Sequence, residues 1–234
     1  MTLPIDQAAV LTFRPRAVVF DLDGTLVDNM AWHTRAFDAF LARRGRDPLS
    51  IAWRRRIDGK RNREIFPMLF DRLLTDDEIG AFEDEKEGMY RTLSRGELRA
   101  LPGAAALIDR LREVGIRVAV ATSAPAPNVE HTLREIDLAG RVDSIARGDQ
   151  VPHGKPAPDV FLRAATLLGV PPSACLAFED APIGVAAAKA AGMQCIAITS
   201  TFTPDVFAAS DPPPDWSCPD FDAYLAEEAW GLRA

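Results

Sequence analysis

Two carboxylates spaced two residues apart follow a run of apolar strand formers. They are Asp21 and Asp23, in "RAVVFDLDGTLVD", residues 16–28. Burying a carboxylate beside such a run is costly unless the group is paired or bound to a metal. Other reactive groups fall at comparable places: "VAVAT" closes on Thr122, "CLAF" leads into Glu179 and Asp180, and the loop "HGKPAPD" carries Lys155. A nucleophilic carboxylate, a neighbouring acid, a hydroxyl, a cation and a carboxylate pair are what phosphoryl transfer through an aspartyl phosphate requires. Asp21 and Asp180 are hard oxygen donors suited to Mg²⁺. In an extended strand Asp21 and Asp23 share a face, and Gly24 lets the backbone bend around a phosphate.

Each group also has a plainer reading. The paired acids could form an Asx-turn, Thr122 could be a strand former, Lys155 a solvated surface group, and "FED" an acidic helix cap. Their joint order along one chain outweighs these.

The elements that must position such groups can be read from the pattern. "AVVF", "VAVAT", "CLAF" and "CIAIT" are short, near-continuous apolar runs, as expected of strands buried on both faces of a parallel sheet. Helical patterns lie between them. "GAAALIDRLREVG" places Leu107, Leu111 and Val114 at helical spacing, "APDVFLRAATLLGV" runs to Gly169, and "APIGVAAAKAAGM" starts with Pro182 in its first turn. This alternation predicts an α/β fold, a Rossmann-like parallel sheet with helices on both faces, whose ligands bind beyond the carboxyl ends of the strands. From Ala31 to Arg99 the pattern is helical only, which predicts a small helical domain over 30–99 inserted in a core made of 1–29 and 100–234. Linkers near Val27–Ala31 and Arg99–Gly103 would join the two, with Gly103 as a hinge. The Pro-rich stretch "SDPPPDWSCPD" should lead into an edge element and a short helix.

The 234 residues are 47% hydrophobic and 26% charged, an ordinary globular composition. A net charge of −7 argues against nucleic acid or an acidic membrane as partner. A small anionic substrate is still compatible with it, because a local cation or metal reverses the sign within one site. Cys175, Cys195 and Cys218 are too few and too dispersed for a disulfide framework or a zinc site. "MTLPIDQAAVLTFRPR" lacks the pattern of a secretory signal and no run is long enough to span a membrane, so a cytoplasmic protein is expected, as monomer or homodimer.

"DLDGTLVD", the strand ending in Thr122, "GKPAPD" and "FEDAPIGVAAAKAAG" resemble, in order, the four motifs of the haloacid dehalogenase-like hydrolase superfamily. The helical insertion resembles its subfamily I cap, and "DNMAWH" and "DGKRNREI" resemble cap-side stretches of the phosphoglucomutase-like branch. The resemblance implies Asp21 as nucleophile and Asp23 as general acid/base with its backbone carbonyl on Mg²⁺. It implies that Thr122, with N–H groups near Ser123 and Ala124, binds the phosphoryl oxygens, that Lys155 neutralises charge, and that Asp180 ligates Mg²⁺ with support from Glu179. His33 resembles a histidine that assists the acid/base Asp; its plainer reading is a surface or interdomain side chain. His131 and His153 read as solvated.

The most cationic stretch, "WRRRIDGKRNRE", reads either as a solvated helix face or as a loop around Gly59 that closes over the site. Lys60, Asn62 and Arg63 are its candidates for substrate contact. The substrate implied is a small phosphorylated metabolite, a sugar phosphate above others. Where the mutase group carries a Ser-Lys pair after the Thr122 position, this chain has "SAPAPN". That favours a phosphatase over a phosphosugar mutase, with a catalytically silent binding protein as the third reading.

Overall fold

The computed structural model describes residues 13–226. The first strand, β1 (Ala17–Phe20), is buried throughout. It lies at the centre of a six-stranded parallel sheet in the order β3-β2-β1-β4-β5-β6. The other strands are β2 (Arg117–Thr122), β3 (Ser144–Arg147), β4 (Cys175–Glu179), β5 (Gln194–Ile198) and β6 (Trp216–Cys218). The four apolar runs are the four inner strands β2, β1, β4 and β5. The two edge strands are short; β3 is half-buried and mixed in polarity, so its sequence shows no strand pattern. The Pro-rich stretch does end in β6, followed by a short helix, Phe221–Ala226.

Side chains alternate across the pleat, so each inner strand feeds two cores. One face carries small residues, among them Val19, Ala119, Ala121 and Ala177. Helices Asp159–Leu168 and Pro182–Ala190 pack closely there. The other face is bulky: Phe20 stacks on Phe178 at 5.2 Å, and Phe221 meets both rings edge-on at 5.6 and 5.2 Å. In chain order the helices are α1 (Met30–Ala42), α2 (Ile51–Ile57), α3 (Asn62–Phe70), α4 (Asp76–Leu93), α5 (Ala104–Glu113), α6 (Ala126–Glu135), α7 (Asp159–Leu168), α8 (Pro182–Ala190), α9 (Pro204–Ala208) and α10 (Phe221–Ala226).

Helices α1 to α4 lie between β1 and its sheet neighbour β2, and share a separate apolar cluster around Phe40, Ile57, Ile65 and Phe66. Thr75 and Glu78 cap the start of α4 reciprocally, and Asp76 and Asp77 favour its N-terminal dipole. The chain leaves the sheet and returns along one path. Val27 bridges Ala100 antiparallel, Leu101 N–H donates to Leu26 O at 3.0 Å, and Asp28 N–H to Arg99 O at 3.2 Å.

The hinge expected at Gly103 is not supported by its packing. Its φ is +77°, and a Cβ there would overlap the Phe221–Asp222 backbone. Phe221 N–H also donates to Pro102 O at 3.0 Å. Gly103 is therefore clamped on the sheet side of the crossing, where only glycine allows the approach of α10. Gly103→Ala should cost about 2 kcal/mol or more, read as a lower urea midpoint with unchanged slope; a change below about 0.5 kcal/mol would contradict this packing.

Candidate active site

The loops beyond the carboxyl ends of β1, β2 and β4 converge, and the loop before α7 joins them. Asp21 follows β1, its N–H donating to Phe178 O at 2.9 Å. Lys155 donates to Asp21 Oδ1 at 2.6 Å and to Glu179 Oε1 at 2.5 Å, with all three groups buried. The other Glu179 oxygen accepts from Ala181 N–H at 2.9 Å, at the entrance to α8. Both Glu179 oxygens are thus engaged, and its main task here is to hold Lys155 and the β4–α8 turn. Room for it exists because residue 184 is glycine: a Cβ there would overlap the Glu179 carboxylate.

Asp180 accepts from Thr25 Oγ1 at 3.3 Å, and Gly24 lets the β1 turn lie against it, with Ser200 Oγ donating to Gly24 O at 2.5 Å. Asp21, Glu179 and Asp180 each bring a carboxylate oxygen within 4.8 Å of the other two. Burial, then the neighbouring Glu179, push the Asp21 carboxyl up from 3.8 to about 8 against the pull of Lys155. Burial, Glu179 and Asp21 likewise push Asp180 well up. One ammonium does not balance three buried acids. A hard divalent cation fits this donor set and would keep the acids ionised.

Asp23 is held apart from this cluster. Asn29 Nδ2 donates to its Oδ1 at 2.6 Å and to the Tyr90 hydroxyl at 2.7 Å. His33, on α1, stacks on Tyr90 at 4.0 Å, and its Nδ1 lies 3.0 Å from the Lys86 ammonium. Lysine can only donate there, which places the ring proton on Nε2, 3.6 Å from Asp23 Oδ1. Burial pushes the Asp23 carboxyl up, but the facing His33 ring and the Asn29 amide bring it below its ordinary value.

Thr122, at the buried end of β2, accepts from Ala124 N–H at 3.0 Å, which leaves its hydroxyl proton available. The N–H expected to reach a phosphoryl group from Ala124 is therefore turned onto Thr122. Ser123 Oγ donates to Gly59 O at 2.7 Å, tying the core to the loop between α2 and α3. Gly59, at φ +80°, packs against Ile183. Arg61 reaches the carbonyls of Gly148 and Val151, each at 3.1 Å. The inserted helices are thus closed over a cavity of about 100 Å³, with Asp21, Thr122 and Asp180 on its floor.

In the loop around Gly59, Gly59 itself and the candidates Lys60 and Asn62 line that cavity, although the Asn62 amide is bonded to Glu87. Arg63 does not line it: its guanidinium pairs with Asp76 at 2.8 Å on the exposed surface. His131 is half-buried: its Nε2 pairs with Ser94 Oγ at 2.9 Å and its ring meets Tyr90 edge to face. His153 is exposed, beside Asp159 at 3.0 Å. Lys86, Glu87 and Asn128 also line the cavity and escaped the sequence reading. The available signal was helical phase: Lys86 falls on the α4 stripe of Phe82, Met89 and Tyr90, where an apolar residue belongs.

Residues 15–192 match the family model described as haloacid dehalogenase-like hydrolase. The chain is 36% identical to Protein CbbY of Rhodobacter capsulatus over 221 residues, 89% of this chain and 94% of that one. It is 34% identical to hexitol phosphatase A of Escherichia coli K12 over 189 residues, 80% and 84% of the two chains. Among solved structures it superposes at a TM-score of 0.79 and 30% identity on a variant of CbbY from Rhodobacter sphaeroides in complex with xylulose-(1,5)bisphosphate, covering 88% and 95%.

Three outcomes follow from the buried acids. Asp21 and Asp180 bind protons more tightly folded than unfolded, so the metal-free protein should lose stability as pH rises from about 4 towards 8. Mg²⁺ should therefore raise the thermal midpoint more at pH 8 than at pH 5.5 and release protons on binding; equal shifts at both pH values would place the ion elsewhere. Gly184→Ala should displace Glu179 and loosen Lys155, lowering turnover by about tenfold or more while far-UV dichroism stays native.

Proposed function

The chain belongs to the haloacid dehalogenase-like hydrolase family, in its subfamily IA branch of phosphatases and phosphoglucomutase-like proteins, and is a phosphoric monoester hydrolase; we propose that it releases phosphate from a small sugar or polyol monophosphate through an aspartyl phosphate on Asp21. The observation that carries this reading is the buried Lys155–Asp21 contact at 2.6 Å within a cluster of acids on the cavity floor. A carboxylate held by an ammonium in a dry pocket is oriented for attack, and its charge is offset as the phosphoryl group arrives. The names of relatives that act on phosphorylated carbohydrates support the substrate class.

In the first step an Asp21 oxygen attacks phosphorus, and the leaving oxygen departs with a proton from Asp23. In the second, Asp23 takes a proton from water as that water attacks the aspartyl phosphate, regenerating the Asp21 carboxylate. Asp23 must carry its proton when substrate binds, and the phosphoryl dianion arriving beside it raises its affinity for one. His33, with its proton on Nε2, and Asn29 orient the carboxylate. Thr122 donates its hydroxyl proton to a phosphoryl oxygen, and Lys155 neutralises charge on Asp21. Mg²⁺ held by Asp21, Asp180 and the Asp23 carbonyl would supply charge neutralisation at the phosphoryl oxygens.

Residues 30–99 act as a cap on a core of 1–29 and 100–234. In the closed state, held by Ser123, Gly59 and Arg61, only a compact leaving group fits. Water is favoured over a second sugar hydroxyl as acceptor because Ala124 and Pro125, beyond Thr122, bring no cation for a second phosphate. We place the enzyme in the cytoplasm; among the described residues no helix is long and apolar enough to cross a membrane.

The test is Mg²⁺-dependent phosphate release across small phosphomonoesters, with isomerisation of β-glucose 1-phosphate assayed in parallel. Release should dominate, and Asp21→Asn should reduce it by about a thousandfold or more. Isomerisation outrunning release would replace the phosphatase with a mutase.

A further inference from the structure

At the roof of the cavity, away from Asp21, three elements converge on one carboxylate that the reaction does not use. Glu87, on α4, is 4% exposed. Its Oε1 accepts from Asn62 Nδ2 at 2.7 Å and from Lys86 at 2.9 Å, and its Oε2 from Asn128 Nδ2 at 2.6 Å. Asn62 opens α3, and Asn128 belongs to α6 in the core. All three line the cavity. Burial pushes the Glu87 carboxyl up, but Lys86, His33 and Asn62 bring it below its ordinary value, so it is ionised.

The chemistry of this wall is acceptor-rich, and the charge of Glu87 is offset by Lys86 at 2.9 Å. A carboxylate accepts about four hydrogen bonds and Glu87 has three. Hydroxyl groups donate to such a surface. A phosphate dianion has no proton to donate to it.

Most of the nearby cations already have anionic partners, Lys86 with Glu87 itself. Lys86 lies between Glu87 and His33. Arg54 holds Asp38 at 2.9 and 3.0 Å, and Arg61 holds Glu64 at 2.8 Å besides the core carbonyls. Arg63 faces outward on Asp76. Lys60 lines the cavity together with Asp58 of the same loop.

We propose that Glu87, braced by Asn62 and Asn128, is the specificity-determining wall: it accepts hydrogen bonds from the hydroxyls of a short neutral polyol or sugar end and excludes a second phosphate. The enzyme therefore takes monophosphates in preference to bisphosphates. This rests on the phosphatase reading above and names its substrate class more narrowly. A phosphate dianion brings only acceptors to these acceptors, whereas hydroxyls donate to them, and this mismatch carries the discrimination.

The experiment measures kcat/KM for phosphate release from sorbitol 6-phosphate, fructose 1,6-bisphosphate and p-nitrophenyl phosphate, the last lacking hydroxyls. The wild type should prefer sorbitol 6-phosphate to the bisphosphate by at least about tenfold. Glu87→Gln, which keeps the shape and removes the charge, should narrow that ratio by about tenfold. Asn62→Ala, which keeps the charge and removes one brace, should lower sorbitol 6-phosphate relative to p-nitrophenyl phosphate without admitting the bisphosphate. A wild type that cleaves the bisphosphate as well as the monophosphate overturns the proposal and leaves the phosphatase reading standing. So does a Glu87→Gln protein in which all three esters fall by one factor, since that is a structural role. Release from none of the three removes the phosphatase reading itself, and this proposal with it.

Discussion

A single buried ammonium, shared between Asp21 and Glu179, is the contact on which the rest of the structure depends. Isolated, any of these three charges would be untenable beside the aromatic floor of the sheet. Together they survive only because the backbone brings three separate loops to one point. Glu179 comes from β4, Asp21 from the adjacent β1, and Lys155 from the loop leading into α7. Because the pair does not fully balance the neighbouring Asp180, the cluster is left short of positive charge. That shortfall suits both a divalent cation and the transfer of a phosphoryl group.

The asymmetry of the sheet follows from the same requirement. The face built of Val19, Ala119, Ala121 and Ala177 lets α7 and α8 approach closely, and these helices bring Lys155 and the Glu179 turn into reach. Glycine at 184 continues the logic at atomic scale, since any side chain there would occupy the space of the Glu179 carboxylate. The opposite face can be bulky because it carries no such contact, and its stacked phenylalanines supply apolar burial instead.

The inserted helices contribute a second buried polar system of different character. On the floor, acids crowd together and call for cations; at the roof, Glu87 is already satisfied by Lys86 and two amides. His33 stands between the two, its Nδ1 3.0 Å from Lys86 and its Nε2 3.6 Å from Asp23, while Asn29 and Tyr90 tie Asp23 to Thr132 on α6. The cavity therefore has one end prepared for a phosphoryl group and another for neutral polar atoms.

Asp21, Asp23, Thr122, Lys155, Glu179 and Asp180 were legible in the sequence because each lies at or beside a strand end or loop in a recognisable local pattern. A short apolar run buried on both faces announces itself whatever its neighbours do. Edge strands β3 and β6 have only half that signature, which is why β3 was invisible and β6 was expected only as an edge element. The charged stretches of the inserted helices carried no such information. Arg63 and Lys86 both stand in basic or acidic runs that suit a solvated face, yet one pairs with Asp76 in water and the other is sealed against His33 and Glu87. Likewise Gly103 and Gly184 are ordinary glycines until α10 and the Glu179 carboxylate are set against them. The sequence by itself determined which residues can do the chemistry, because reactivity and strand burial are local properties. Only the tertiary structure decided which charges share a cavity, because that depends on which helix faces meet across long stretches of chain.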